Sequence, residues 1–197
     1  MPRSTPSVLL LSAVAAMALG TGCTSTVQGS ATADSGAPAA QSTGDAVVWV
    51  DEVCGSLLPF VRTAGAPPEP SEARDPASLV QLITDYLGEA EDAAGSAISG
   101  MDGAGPSPVA GGDEAVDRLS GTLSTLQSTF RDARTRIEDV DVDDPQAVLK
   151  EVPAAIAPLD QLANMPNPAA GLQGSPELDR AGQEAANCQQ IEREFGG

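Results

Sequence analysis

The segment that decides the fold is VDRLSGTLSTLQSTFRDARTRIEDV, residues 116–140. Its apolar residues recur at alternating steps of three and four, a period of about 3.5 that places them along one face of a helix. They are Val116, Leu119, Leu123, Leu126, Phe130, Ala133, Ile137 and Val140. This heptad spacing predicts a long amphipathic helix, capped by Asp113, that packs lengthwise against another helix.

The same spacing fits two arrangements: a coiled coil with a second chain, or a left-handed antiparallel bundle within one chain. Several other segments of this sequence show helical spacing, and short loops connect them. We therefore expect an all-α antiparallel bundle of four to five helices, and a monomer.

The first two of these segments precede the heptad segment. One is predicted to begin at Asp45, to carry apolar residues from Val47 to Val61, and to bend at Pro59. The next opens with Asp75-Pro76, a capping residue followed by a proline. Its later half is rich in Ala and Ser, which would let a neighbouring helix approach closely.

Two more segments follow, and both open with the same capping residue and proline. A fourth helix is predicted from Asp144-Pro145, divided into two pieces by Pro153 and Pro158. A fifth is predicted from Ser175-Pro176 to the end of the chain.

Composition excludes several classes of function. The 197 residues carry 28 acidic and 10 basic side chains, a net charge of −18 that would repel nucleic acids and anionic membrane surfaces. There is no histidine, which removes the commonest general base and a common metal ligand. We expect no catalytic site, no metal and no cofactor.

The first 22 residues have the pattern of an export signal. Arg3 supplies the positive charge, Val8 to Leu19 form the apolar stretch, and Gly20 to Gly22 are small or polar. The apolar stretch is too short to span a bilayer stably. Cys23 follows directly.

This leader resembles a bacterial lipoprotein signal, in which a lipobox of the form Leu-x-Gly/Ala-Cys precedes thioether acylation of the cysteine. Here the four residues are Gly20-Thr21-Gly22-Cys23, with Leu19 one position early. The resemblance implies that a lipid on Cys23 anchors the protein at the outer face of the cell membrane. The composition of the rest of the chain, rich in Ala, Pro and Gly and poor in Lys, is similar to that of small exported lipoproteins of high-GC Gram-positive bacteria.

An alternative stays open, because Ala16-Met17-Ala18 is an acceptable site for an ordinary signal peptidase. Cleavage there would release a soluble, secreted protein that keeps Cys23 as a free thiol. In either case residues 23–44 are predicted to form a disordered tether. After Cys23 this segment consists mostly of Ser, Thr, Gly, Ala and Pro, with almost no bulky apolar residue. Residues 45–197 are predicted to form the helical bundle.

The other two cysteines are predicted to form a disulfide. Cys54 lies on the apolar face of the first predicted helix, and Cys188 lies on that of the last. Both should therefore point into the same core, and export would supply an oxidising compartment. Assigning Cys23 to the lipid leaves an even number of thiols.

An acidic segment resembles the start of a calcium loop. Asp139, Asp141 and Asp143 match its first three alternating ligands. However, the position that needs glycine is Asp144, and the one that needs a bidentate glutamate is Lys150. We expect a solvated turn in which Asp144 caps the next helix.

The remaining polar residues have structural interpretations. The acidic residues of the second and third helices, Glu91 among them, are predicted to lie on helix surfaces. Arg134 and Glu138 are spaced to pair along one helix. Trp49 and Tyr86 are predicted to pack in the core or at an interface.

Without a catalytic constellation, the sequence favours a protein that acts by contact. We expect a binding or interaction module of the cell envelope whose partner is an unidentified protein. The alternative is a carrier of a small apolar ligand or lipid, which would need a cavity beside the Ala-rich half of the second helix.

Overall fold

The structure is a computed structural model that describes residues 37–159, 172 and 174–195. These residues form six α-helices and no strand, which confirms the predicted all-α bundle. The helices are α1 (Ala37–Ala64), α2 (Pro76–Gly103), α3 (Gly112–Glu138), α4 (Pro145–Ile156), α5 (Pro176–Glu184) and α6 (Ala186–Phe195). A short 3-10 helix, Pro70–Glu72, lies between α1 and α2.

The heptad face of α3 packs inside this chain, as predicted. Its fully buried side chains include Leu123, Phe130 and Ile137, while Val116 and Leu126 are partly buried against the core. The rings of Phe130 and Phe60 meet edge to face, with their centroids 6.4 Å apart. The heptad face of α3 thus packs mainly on α2 and reaches α1 at Phe130, which confirms the intramolecular bundle.

The three helices predicted to open with a capping residue and proline do so. The Asp75 carboxylate accepts a hydrogen bond from Ser78 N at 2.8 Å, and Asp144 accepts one from Gln146 N at 2.9 Å. Ser175 Oγ accepts one from Leu178 N at 3.2 Å. These caps satisfy amides that the helix itself leaves without a partner.

The start of the first helix differs from the prediction. α1 begins at Ala37 rather than at Asp45, so the predicted tether of residues 23–44 ends in helix. Alanine has the highest helix propensity, and a proline is accommodated in a first turn; the segment Ala37-Pro38-Ala39-Ala40 thus favours helix despite its low complexity. The rest of the tether and the leader lie outside the described residues.

Pro59 does not interrupt α1. The residue four positions earlier is Gly55, which relieves part of the crowding that a proline ring creates. Pro153 likewise lies inside a continuous α4, so the predicted division there is wrong. The α-helix ends at Ile156, two residues before Pro158, the other predicted point of division.

The last predicted helix is divided in two. Ala185 adopts an extended conformation, with φ −70° and ψ 122°, between α5 and α6. The predicted cap of α3 is also different, because Gly111 occupies the N-cap position in a left-handed conformation with φ 83°. Asp113 instead accepts a hydrogen bond from Ser107 N at 2.7 Å, which fixes the preceding loop.

Candidate functional site

The most distinctive polar site in the described part of the chain is the contact between α1 and α6, which we call the α1–α6 junction. It consists of Asp51, Cys54, Gly55 and Arg62 on α1 together with Asn187, Cys188 and Glu194 on α6. The disulfide between Cys54 and Cys188 confirms the predicted pairing; it joins residues 134 positions apart, with their Cα atoms 5.1 Å from each other. Both cysteines are buried in the core.

Asp51 and Asn187 form the polar half of the junction. The Asp51 carboxylate accepts hydrogen bonds from Asn187 N at 2.8 Å and from Asn187 Nδ2 at 3.0 Å. Asn187 Nδ2 also donates to the Asp51 carbonyl oxygen at 3.0 Å. Because Asn187 lies in the first turn of α6, Asp51 acts as an N-cap supplied by another helix, and its charge favours the positive end of the helix dipole.

The two helices run parallel at this junction. Asp51 and Cys54 pair with Asn187 and Cys188, and further along both helices Arg62 Nε donates to Glu194 Oε1 at 2.9 Å. Gly55 permits the close approach, since a Cβ atom there would lie 2.8 Å from Asn187 Nδ2. The junction therefore departs from the antiparallel arrangement predicted for the bundle.

A second polar cluster joins α2 to α3. Glu91, predicted to lie on the surface, is only 7% exposed. Its carboxylate contacts Arg131 Nε at 2.7 Å and Arg134 Nη2 at 3.3 Å. The predicted pair of Arg134 with Glu138 is also present, at 3.7 Å. A single carboxylate held by two guanidinium groups fixes the register of two helices and does not provide an acid and base pair.

Two glycines make room for this cluster. A Cβ atom at Gly88 would lie 3.3 Å from Arg134 Nη1, and one at Gly95 would lie 2.6 Å from Gln127 Nε2. The glycines are spaced one turn on either side of Glu91, so the long polar side chains of α3 cross the α2 backbone there.

The acidic segment between α3 and α4 forms a turn. Asp141 Oδ1 accepts a hydrogen bond from Asp143 N at 3.0 Å, and Asp144 caps α4. Within residues 37–159, 172 and 174–195, no group of three or more side chains is placed to hold a metal ion.

The two large polar aromatic residues pack in or against the core, as predicted, and both donate to backbone carbonyls. Trp49 is 5% exposed, and its Nε1 donates to the Gly105 carbonyl at 3.0 Å. The Tyr86 hydroxyl donates to the Ala64 carbonyl at 3.0 Å. Burial raises the pKa of Tyr86 above its ordinary value of 10.0.

The Ala-rich half of α2 is a place of close helix approach. Ala90, Ala94 and Ala97 are completely buried. A Cβ atom at Gly100 would lie 2.6 Å from Ser56 Cβ of α1. The small side chains thus let α1 approach α2 closely at Gly100.

Sequence reasoning missed most polar residues of these sites, above all Asp51, Asn187 and Glu91. For Glu91 a signal was present in the pattern Gly88-Glu91-Gly95, because glycines that flank a charged residue on a helix mark space for a long partner. For Asp51 and Asn187 no local signal exists, since they are 136 positions apart.

The third cysteine, Cys23, lies outside the described residues. None of the described helices has the length and apolar character needed to cross a membrane. The chain matches no known protein-family model, and it shows no significant similarity to a curated protein or to a solved structure.

Proposed function

We propose that the protein is exported, is held at the outer face of the cell membrane by a lipid on Cys23, and acts there through its helical domain as an interaction module. The observation that carries this proposal is the use of the cysteines. Two of the three are joined in the core, and the remaining one directly follows the export-type leader. A buried disulfide also favours an oxidising compartment over the cytosol.

The character of the domain supports a role in contact rather than in catalysis. The chain has no histidine. The buried carboxylate of Glu91 is neutralised by two arginines, and the described acidic side chains form no metal-binding group. A protein that acts by contact needs no histidine base, no unpaired buried carboxylate and no metal site.

The packing of α2 favours the interaction module over a carrier of a small apolar ligand. A carrier needs an internal apolar cavity. At Gly100, in the Ala-rich segment expected to line such a cavity, α1 approaches so closely that an added Cβ would lie 2.6 Å from Ser56 Cβ.

Attachment is tested by exporting the full chain in a bacterium that processes lipoproteins and measuring its intact mass and its partition into detergent. We expect a diacylglyceryl adduct on Cys23 and recovery in the detergent phase. Cys23→Ser should move the protein to the aqueous phase. The matched control, Cys54→Ala with Cys188→Ala, should still partition into detergent.

A free Cys23, or a mass that corresponds to cleavage after Ala18, would contradict the anchor and support a secreted protein. The same exported Cys23→Ser protein separates a module from a carrier. Native mass spectrometry should show the chain without a bound small molecule, whereas a carrier should retain an apolar ligand or lipid.

A further inference from the structure

Helix α6 depends on α1 for its stability. It has 10 residues, whereas isolated helices shorter than about 12–15 residues are marginal in water. The residue before it is Ala185, which has no side-chain oxygen to cap the first turn. Its buried residues Cys188 and Ile191 must find their apolar contacts on other helices.

Helix α1 meets these needs in one small area. Asp51 accepts the hydrogen bond of Asn187 N at 2.8 Å, and Cys54, about one turn further along α1, bonds to the next residue of α6. Since Asp51 and Cys54 lie on one helix face and Asn187 and Cys188 are adjacent, capping of α6 by Asp51 places the Cys188 sulfur against Cys54. The glycine at position 55 allows this approach.

We propose that Asp51 is a positioning residue for the oxidative closure of the chain. By capping α6 on the surface of α1, Asp51 brings the Cys188 thiol to Cys54 before their bond forms. The docked helix thereby selects this pair over pairings with the third cysteine, Cys23. The inference goes beyond the proposed function and does not require the lipid.

The chemistry of closure is thiol–disulfide exchange with an oxidant that is itself a disulfide. One thiolate attacks the oxidant and releases its first thiol, which leaves a mixed disulfide on the chain. The second thiolate then attacks that mixed disulfide and releases the second thiol. Two protons and two electrons pass from the cysteines to the oxidant. Asp51 acts in the second, intramolecular step. There, the proximity of the Cys54 and Cys188 sulfurs determines how far the mixed disulfide converts to the internal disulfide.

Other polar contacts of the junction are less suited to this role. The pair of Arg62 with Glu194 has side chains 53% and 29% exposed, and exposed pairs contribute little. Asp51 differs because its carboxylate meets a backbone amide at the helix start.

The experiment measures the effective concentration of the two thiols in glutathione redox buffers, using the full chain with Cys23→Ser in every variant. The oxidised fraction is determined by thiol alkylation and mass spectrometry. We expect Asp51→Ala to lower the effective concentration about five- to tenfold, the size of a lost N-cap. Asp51→Asn should restore most of it, because asparagine is an equally good cap.

The matched control is Asp75→Ala, which removes the cap of α2 and no contact with α6. Under conditions in which circular dichroism shows the reduced chains to be folded, it should reduce the free energy of unfolding by a similar amount and leave the effective concentration of the thiols unchanged. If Asp75→Ala lowers that concentration as much as Asp51→Ala does, or if Asp51→Ala has no effect, the proposal is wrong.

A second measurement uses the chain with all three cysteines, produced in the cytosol so that Cys23 is unmodified, and oxidised with glutathione disulfide. Peptide mapping should find mainly the Cys54–Cys188 bond in the parent chain and in Asp75→Ala. Asp51→Ala should increase the share of bonds that include Cys23. An unchanged share would overturn the claim that docking selects the pair.

Discussion

At the scale of single residues, Glu91 shows how burial decides what a charge contributes. Removing one partner of a fully buried ion pair costs about 3–5 kcal/mol. The side chains of Arg131 and Arg134 are 52% and 35% exposed, however, so both guanidinium groups reach water when the carboxylate is removed.

We therefore expect Glu91→Ala to lower the free energy of unfolding by about 1–2 kcal/mol. The matched control is Glu138→Ala, whose side chain is 52% exposed and meets Arg134 at 3.7 Å; its effect should stay below about 0.5 kcal/mol. Urea denaturation followed by the fluorescence of Trp49, the single tryptophan, measures both. Equal effects would mean that burial of Glu91 is unimportant.

Tyr86 gives a pH dependence at the same scale. Burial raises its pKa above the ordinary value of 10.0, so the unfolded chain releases this proton at a lower pH than the folded protein. The corresponding stability is fully present below pH 10.0 and is lost as the pH rises through the raised pKa.

Because Tyr86 is the only tyrosine, tyrosinate absorbance reports this ionisation directly. We expect a midpoint above 10.0 in the folded protein and a return towards 10.0 in urea. Tyr86→Phe should abolish the signal and reduce the alkaline loss of stability. A midpoint at or below 10.0 in the folded state would show that the hydroxyl is well solvated.

At the scale of helices, small residues decide how closely two elements approach. Gly100 of α2 faces Ser56 of α1, where an added Cβ would lie 2.6 Å from Ser56 Cβ. Gly121 of α3 has no neighbouring atom within 4 Å of such a Cβ. The same substitution should therefore have opposite effects at the two positions.

Gly121→Ala should stabilise the protein by about 0.5–1 kcal/mol, because alanine loses less backbone entropy in a helix. Gly100→Ala should destabilise it by about 1–3 kcal/mol, because α1 and α2 must move apart. Thermal and urea unfolding of the two variants measure the difference. A stabilising Gly100→Ala would contradict the close approach of these helices.

Local patterns predicted the elements well where their causes are local. The caps at Asp75, Asp144 and Ser175 depend on residues two or three positions away, so a short window of sequence contains them. The start of α1 at Ala37 and the break at Ala185 were missed. The low complexity of the segment around Ala37 concealed its helix propensity. The break at Ala185 is stabilised by Asp51 of α1, which lies far from it in the sequence.

At the scale of the whole molecule, the disulfide closes a loop of 134 positions between α1 and α6. In the chain-entropy model a loop of this length lowers the entropy of the unfolded state by the equivalent of about 4–5 kcal/mol. This contribution is comparable to the net stability of many domains.

Chemical reduction of the parent chain should therefore lower the free energy of unfolding by about 4–5 kcal/mol. Reduction keeps both sulfur atoms and so isolates the cross-link from any cavity. Urea denaturation with and without reductant, followed by Trp49 fluorescence, measures it. The control is the double variant Cys54→Ala with Cys188→Ala, which lacks this cross-link. Its free energy of unfolding should be the same with and without reductant. Equal stability of the oxidised and reduced chains would show that the cross-link contributes nothing.

The sequence by itself determined the helical class, the buried face of α3, the three side-chain caps and the identity of the disulfide. The first three depend on the spacing of residues along one helix. The disulfide depends on two thiols that each lie on the apolar face of a helix. Only the tertiary structure decided that α6 runs parallel to α1, that Asp51 caps it, and that Glu91 is buried between two arginines. The physical reason is that an apolar face specifies burial but not which helix covers it, so contacts between distant polar residues depend on how the helices are arranged in space.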